Sequence, residues 1–206
     1  MISFEEKADV SDWRAVLEAL PSSMQEQAEL GVFWLLFISR DWTKARELIR
    51  NSSSEELPYG PVLVPRMCFE IPIAKYKGEH PEDNPELGAA RDELLQKVKE
   101  HPEEWFLLSF LGQVDAYLGR KHEAIEEAKR AVGMWPDATD GPVLMSTLAA
   151  VYAITNEADL AFQILDVSIK TPKGVTYGDL KLNPNWDLLR ADPRFDNLLA
   201  ELAPKE

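Results

Sequence analysis

The chain of 206 residues contains a single cysteine, Cys68, which excludes an intramolecular disulfide and any metal site built from several cysteines. Long apolar runs are also missing. The most apolar stretch, residues 30–38, is far shorter than the roughly 20 residues of a membrane-spanning helix. No basic segment followed by an apolar one comes after Met1, so the sequence predicts no secretory signal. We therefore expect a soluble, cytoplasmic protein.

Basic residues are scarce relative to acidic ones. The chain has 22 lysines and arginines against 36 aspartates and glutamates, which gives a formal net charge of −14. Proteins that bind nucleic acids normally present a basic surface, and anionic membranes attract basic segments. The charge therefore predicts neither a nucleic-acid partner nor a membrane partner.

Sequence motifs of catalysis are missing as well, since there is no glycine-rich phosphate loop, no Gly-x-Ser-x-Gly turn and no His-Glu-x-x-His pair. His80 and His101 each precede a proline and two acidic residues, a pattern typical of a corner between helices. Adjacent carboxylates such as Glu126 and Glu127 do not face each other on a helix and are predicted to be solvated. Cys68 is expected to be a small buried side chain. We predict no catalytic residue, no cofactor and no metal, so an enzyme is the least favoured class.

Most of the chain has the apolar spacing of amphipathic helices, interrupted by proline, glycine and asparagine. Ser23 and Glu26 have the spacing of a capping box at the start of a helix. The short apolar run at residues 62–64 is flanked by prolines and is interpreted as a loop that leads into the next helix. Pro72 is expected to kink or shorten that helix. The predicted fold class is all-α.

The stretch from Trp105 to Pro136 has the spacing of a 34-residue helix–turn–helix unit, with matching positions at Leu108, Leu111, Gly112, Leu118, Gly119, Ala124, Ala128, Ala131 and Pro136. In these positions it resembles a tetratricopeptide repeat. Small residues let two helices cross closely, and equivalent alanines recur at intervals of 45, 34 and 37 residues. These alanines are Ala45, Ala90, Ala124 and Ala161. One such unit cannot bury its own apolar face, so several must stack.

These observations predict a right-handed helical solenoid of about four irregular hairpins with a C-terminal helical cap. The predicted parts are an N-terminal helix and first hairpin (10–58), a second hairpin with an inserted loop (59–102), the best-matching repeat (103–137), a last hairpin (138–173) and a capping segment (174–206). In the capping segment, Asn183-Pro184 and Asp192-Pro193 have the pattern of helix starts.

The last 65 residues or so contain three motifs, which are Tyr177-Gly178-Asp179-Leu180, Trp186-Asp187-Leu188-Leu189-Arg190 and Asp192-Pro193-Arg194-Phe195. Through these motifs, this part of the chain is similar to the C-terminal end of a large group of bacterial tetratricopeptide-repeat proteins. The chain departs from the group at Leu188, where proline is usual. Such arrays are often found behind bacterial Ser/Thr kinase, adenylate-cyclase or winged-helix regulator domains, so the resemblance implies a sensor or docking role, either alone or within a longer protein.

In this repeat family the first helix of each hairpin lines a concave groove. Mapped onto this chain, the resemblance implies ten groove candidates, which are Trp34, Ile38, Lys75, Tyr76, Phe106, Ser109, Gln113, Tyr117, Ser146 and Ala150. Five further positions have the same placement, namely Gln27, Leu30, Cys68, Val143 and Ile154. A groove of aromatic, aliphatic and amide side chains suits a peptide or protein segment. We expect a non-catalytic interaction module in bacterial signalling or regulation. The alternative is a ligand- or peptide-sensing domain whose groove is closed by the C-terminal segment.

Overall fold

A computed structural model describes residues 2–19, 25–134 and 141–204. This part of the chain is mostly helical, as predicted. Its α-helices are α1 Ile2–Lys7, α2 Ser11–Glu18, α3 Gln25–Ile38, α4 Trp42–Asn51, α5 Glu70–Tyr76, α6 Pro85–Glu100, α7 Trp105–Tyr117, α8 Lys121–Gly133, α9 Gly141–Ile154, α10 Ala158–Ser168, α11 Tyr177–Leu182 and α12 Pro193–Leu202. Its strands are β1 Glu56–Tyr59 and β2 Val62–Pro65, and its 3-10 helices are Arg66–Phe69, Pro81–Asp83 and Pro184–Leu189.

Four helices end with the same backbone cap. The second residue after the end of α3, α5, α7 and α9 has a left-handed backbone, and these residues are Arg40 (φ 58°), Gly78 (φ 73°), Gly119 (φ 74°) and Asn156 (φ 62°). At each position the next backbone N–H donates to the carbonyl five residues earlier, at 2.8–3.0 Å. This is the Schellman arrangement, which satisfies carbonyls that the helix leaves free. Its recurrence every 37 to 41 residues gives the chain a regular series of corners.

The small residues predicted at helix crossings are buried. Ala45, Ala90, Ala124 and Ala161 all lie in the core. A Cβ atom placed on Gly112 of α7 would lie 3.1 Å from the Ala124 carbonyl oxygen and 3.2 Å from the Ala128 nitrogen of α8. The backbones of α7 and α8 therefore approach closely because Gly112 has no side chain, as the repeat pattern predicted.

The interpretation of residues 62–64 as a loop was wrong, because they belong to strand β2. This strand pairs antiparallel with β1 across a Gly60-Pro61 turn, in which Gly60 has φ 60°. Leu57 and Val64 face each other in the register, and both are buried. The prolines that suggested a loop stand at the turn and at the strand ends, where a missing N–H is tolerated. Pro72 lies in the first turn of α5, so the preceding segment forms a separate 3-10 helix, which agrees with the expected shortening.

The two ends of the described chain meet. Helix α1, which the sequence did not indicate, packs against α11. Ser23, Pro136 and the side chains of Glu26 and Gln27 lie outside the part that the structure describes. Within that part, no helix combines the length and the apolar character needed to cross a membrane.

The motifs of the C-terminal segment hold that segment together from within. Trp186 Nε1 and Asn183 Nδ2 each donate to the Asp179 carboxylate at 2.9 Å.

The same segment also packs against the preceding helices. Arg194 lies over the ring of Phe162 in α10, with its guanidinium carbon 4.2 Å from the ring centre. The apolar side chains that pack against α9 and α10 are buried, and they include Trp186, Leu189, Phe195 and Leu198. Both predicted Asx-Pro helix starts are capped by their Asx side chains.

Candidate functional site

Predicted groove residues at the ends of helices α5, α7 and α9 line one pocket. Tyr76 ends α5, Tyr117 ends α7 and Ile154 ends α9. The opposite wall comes from the 3-10 helix and consists of Pro184, Asn185, Asp187 and Leu188, and Lys75 lies at the rim. The volume is about 270 Å³. We call this cavity the tyrosine pocket.

The wall that faces the helices belongs to residues 183–190, named here the crossing segment. Its 3-10 helix packs against α9, and its side chains reach α7, α5 and the corner after α3. Tyr76 Oη donates to Asn185 Oδ1 at 3.3 Å, and Tyr117 Oη donates to the same oxygen. Burial is the main cause of a raised pKa of both tyrosines, so both hydroxyls remain donors at neutral pH.

Two arginines fix the far end of the crossing segment. Arg40 Nη2 lies 2.6 Å from Asp187 Oδ1, and Arg40 Nη1 donates to the Leu182 carbonyl at 3.1 Å. Arg190 Nε donates to the same Asp187 oxygen at 2.8 Å. Arg40 is also the left-handed residue of the corner after α3. Its side chain extends from this corner to the C-terminal part of the chain. The crossing segment is thereby tied to the first hairpin.

Aromatic side chains make the pocket wall rigid. Trp42 stacks on Tyr76 with a 5.2 Å centroid distance and a 9° interplanar angle. Phe37 contacts both rings edge-to-face. Trp34 packs in turn against Phe37. Such edge and offset contacts add to the packing energy of aromatic clusters, so the tyrosine side of the pocket is preorganised.

The chain itself covers the other end of the predicted groove. Gln113 Nε2 donates to Tyr59 Oη at 2.8 Å, and Tyr59 belongs to β1. The turn of the hairpin lies on Phe106, since a Cβ atom on Gly60 would be 2.7 Å from that ring. Ser109 is buried. The β-hairpin therefore occupies the face that Phe106, Ser109 and Gln113 were predicted to offer to a partner.

The remaining groove candidates are mostly in the core. Ile38, Cys68 and Ala150 are buried. Ser146 is half-buried, and its hydroxyl donates to the Pro142 carbonyl at 2.8 Å. Leu30 is partly buried against the core, whereas Val143 is exposed. A cavity of about 20 Å³ beside Trp34, Gln113 and Tyr117 has room for little more than one water molecule.

Three other depressions are larger but more open to solvent. The first, of about 490 Å³, lies beside Glu6 and the residues around Lys173 to Tyr177. The second, of about 310 Å³, lies between β2 and α6 and includes Leu63, Lys97 and His101. The third, of about 360 Å³, lies between α3 and α4 and includes Leu36. None of the three contains residues from more than one of the predicted groove helices, whereas the tyrosine pocket contains residues from three of them.

The predicted corner histidines occupy helix boundaries. His80 precedes the 3-10 helix Pro81–Asp83, and His101 is the C-cap of α6. Burial raises the pKa of Cys68, whose thiol donates to the Ala90 carbonyl at 3.4 Å. A buried thiol with a raised pKa is a poor nucleophile. Among the described residues, no three His, Cys, Asp or Glu side chains are grouped so that they could hold a metal ion.

One buried polar cluster escaped the sequence analysis. Arg91 of α6 donates from Nε and Nη2 to the fully buried Asp115 of α7, at 2.8 and 2.6 Å. Glu127 of α8 lies beside this pair, and the prediction that it is solvated was wrong. Burial, and then the Asp115 charge, raise the pKa of Glu127 to about 8, and its buried Oε2 has no hydrogen-bond partner. The sequence gives no signal for this cluster, because Arg91, Asp115 and Glu127 lie on three different helices.

No family model, no curated protein and no solved structure matches this chain.

Proposed function

We propose that the chain is a non-catalytic interaction module, a tetratricopeptide-like solenoid of four hairpins that binds a short protein segment in the tyrosine pocket. The observation that carries this proposal is the convergence of Tyr76, Tyr117 and Ile154, which are equivalent positions of three successive hairpins, on one cavity. The four identical corner caps support the repeat architecture. A role in bacterial signalling or regulation rests on the resemblance of the C-terminal motifs.

The size and lining of the pocket favour a segment of a few residues. Ligand cavities for drug-sized molecules start at about 300 Å³, and this cavity is near that lower limit at about 270 Å³. Its walls are aromatic and aliphatic, and Leu188 at the rim is 65% exposed. A partner side chain that covers Leu188 would remove apolar surface from water, which is favourable.

A second candidate function is supported by the position of the crossing segment. Because Asn185 and Asp187 form part of the pocket, a ligand there contacts both the helices and the C-terminal segment. Occupancy of the pocket would then favour the docked position of that segment by linkage. This is the ligand-sensing alternative, and it uses the same pocket.

Panning of a random-peptide phage library against the purified chain tests the proposal. Leu188→Ser removes an exposed apolar side chain at the pocket, and Val167→Ser removes one that is 51% exposed on α10, away from the pocket. We expect peptides that enrich on the wild type to bind the Val167 variant equally and the Leu188 variant weakly. Melting temperatures of both variants should equal that of the wild type. If no peptide enriches, the proposed function is refuted. If the enriched peptides bind both variants equally, the tyrosine pocket is not the binding site.

A further inference from the structure

We infer that the tyrosine pocket selects a peptide segment in which a carboxylate side chain neighbours an aliphatic one. This inference rests on the proposed function and names the chemistry of its partner. Its basis is a set of unused hydrogen-bond donors, one of them the ammonium of Lys75, at one edge of an otherwise apolar cavity, in a chain whose net charge is −14.

The donors at this edge are not used up by the protein. Asn185 Oδ1 accepts from both tyrosine hydroxyls, which leaves the two N–H groups of Nδ2 for another acceptor. Lys75 is exposed at the rim and forms no ion pair or hydrogen bond with the part of the chain that the structure describes. An ammonium carries three donors and no acceptor. Both groups can therefore donate to an acceptor of the ligand.

Two acids near this edge, Asp187 and Glu82, have partners within the chain. Asp187 accepts from Arg40 and Arg190 through one oxygen. Glu82 has a lowered pKa because of hydrogen bonds to its own backbone and to His80, and only to a smaller degree because of Lys75. His80 Nδ1 lies 3.1 Å from Glu82 Oε1.

Three cationic side chains, Lys75, Arg40 and Arg190, thus share this edge with the carboxylate of Asp187. Complementary charge steers association and selects partners, so an acidic ligand group fits better than a neutral or basic one.

The rest of the cavity selects an aliphatic neighbour. Ile154, Pro184 and Leu188 offer aliphatic surface, and the rings of Tyr76 and Tyr117 close the other side. A volume of about 270 Å³ admits one such side chain together with the acidic one. A lysine or arginine in the ligand would meet Lys75 at the rim and would be repelled.

Fluorescence anisotropy with labelled hexapeptide sub-libraries tests the inference. The sub-libraries fix Glu-Leu, Gln-Leu or Lys-Leu at the two central positions, and the other positions are random. We expect Glu-Leu to bind most tightly, Gln-Leu less tightly and Lys-Leu least. Raising the salt concentration should weaken Glu-Leu binding and narrow these differences, because salt screens exposed charges. Equal or reversed preference among the three would overturn the inference while leaving the proposed function in place.

Two charge-reversal variants test whether Lys75 causes the preference for Glu-Leu peptides. Lys75→Glu places a negative charge at the rim, and we expect Glu-Leu binding to fall by about tenfold, because an attraction becomes a repulsion. Lys77→Glu is the matched control, since Lys77 is exposed two residues away and does not line the pocket. It should leave the affinity unchanged. If both variants lose affinity equally, the effect is one of net charge, and the inference fails.

Two further outcomes separate the occupant classes. Hexanoate, a carboxylate with an aliphatic chain and no peptide backbone, should not displace Glu-Leu peptides at millimolar concentration. Displacement at the same concentration as unlabelled peptide would make the occupant a small carboxylate and overturn the peptide assignment. Lack of binding by all three sub-libraries would overturn the inference and the proposed function together.

Discussion

The hydroxyl of Tyr117 donates a hydrogen bond to the side chain of Asn185, which lies 68 residues later in the chain. Tyr117 is only 5% exposed, so it is part of the core as well as of the pocket wall. The groove position therefore does not present a free aromatic ring to solvent. Truncation of this side chain would create a cavity and disturb the fold, and a binding test needs a smaller change.

Tyr117→Phe is that smaller change. It removes one donor from Asn185 Oδ1 and leaves the Tyr76 hydroxyl as its remaining partner. We expect the free energy of unfolding to fall by about 1 kcal/mol, the typical net value of a buried hydrogen bond. Urea denaturation measures this loss.

Tyr177→Phe is the control for Tyr117→Phe. Its hydroxyl accepts from the exposed Lys181 at 2.9 Å, so its loss should change stability by much less. A double-mutant cycle of Tyr117→Phe with Asn185→Ala should give a coupling of a similar size, about 1 kcal/mol. An additive cycle would mean that the two side chains do not interact.

Local rules predicted the parts of the fold that depend on one or two neighbouring residues. Gly119 was among the positions that match the repeat, and it has a left-handed backbone. Gly112 was expected where two helices cross, and it lies against α8. These positions are predictable because few residue types tolerate a left-handed backbone or a close backbone approach.

Relationships between distant residues were not predictable in this way. The β-hairpin depends on the burial of Leu57 and Val64 together, and neither short run identifies its partner. The crossing segment was predicted as a cap, but its Asp187 pairs with Arg40, which lies 147 residues earlier in the chain. The raised pKa of Glu127 depends in part on Asp115, which lies on another helix. One sequence contains no direct signal for such pairings.

Gly119→Ala tests the corner caps. Gly119 has φ 74° and has no atom within 4 Å of an added Cβ, so the only cost is conformational. We expect a loss of about 1–2 kcal/mol, the penalty of a left-handed backbone for alanine. Chemical denaturation of the purified variant measures it.

Gly88→Ala is the matched control for Gly119→Ala. Gly88 lies within α6 and also has open space around an added Cβ. Because alanine favours the helix over glycine, this variant should gain about 0.5–1 kcal/mol. Equal effects of the two substitutions would contradict the left-handed assignment of Gly119.

The buried cluster predicts an unusual pH dependence of stability. Burial and Asp115 raise the pKa of Glu127 to about 8 from its ordinary value of 4.5, whereas Arg91 opposes this shift. Between these two pH values, the unfolded state releases the proton and the folded state keeps it. The folded state then binds more protons, so the contribution of Glu127 to stability falls as pH rises from 4.5 to 8.

Glu127→Gln removes this titration. Thermal melts of wild type and variant at pH 5.5, 7 and 8.5 should show a wild-type melting temperature that falls relative to the variant as pH rises. Glu126→Gln, at an exposed neighbouring position, should melt in parallel with the wild type. A constant difference between Glu127→Gln and the wild type across this range would argue against a protonated Glu127 in the folded protein.

Removal of residues 174–206 tests whether the C-terminal segment closes the array. Trp186, Leu189, Phe195 and Leu198 are buried against α9 and α10, and the truncation exposes the apolar surface that they cover. Each such side chain contributes about 1.5–3 kcal/mol by burial, and their sum approaches the whole stability of a typical domain. We expect aggregation on size-exclusion chromatography and strong binding of the dye ANS. A chain that ends at Leu202 retains all four side chains and should remain monodisperse. If the longer truncation also stays monodisperse with an unchanged melting temperature, the segment packs on the array without stabilising it, and the tyrosine pocket could exist with only its helical wall.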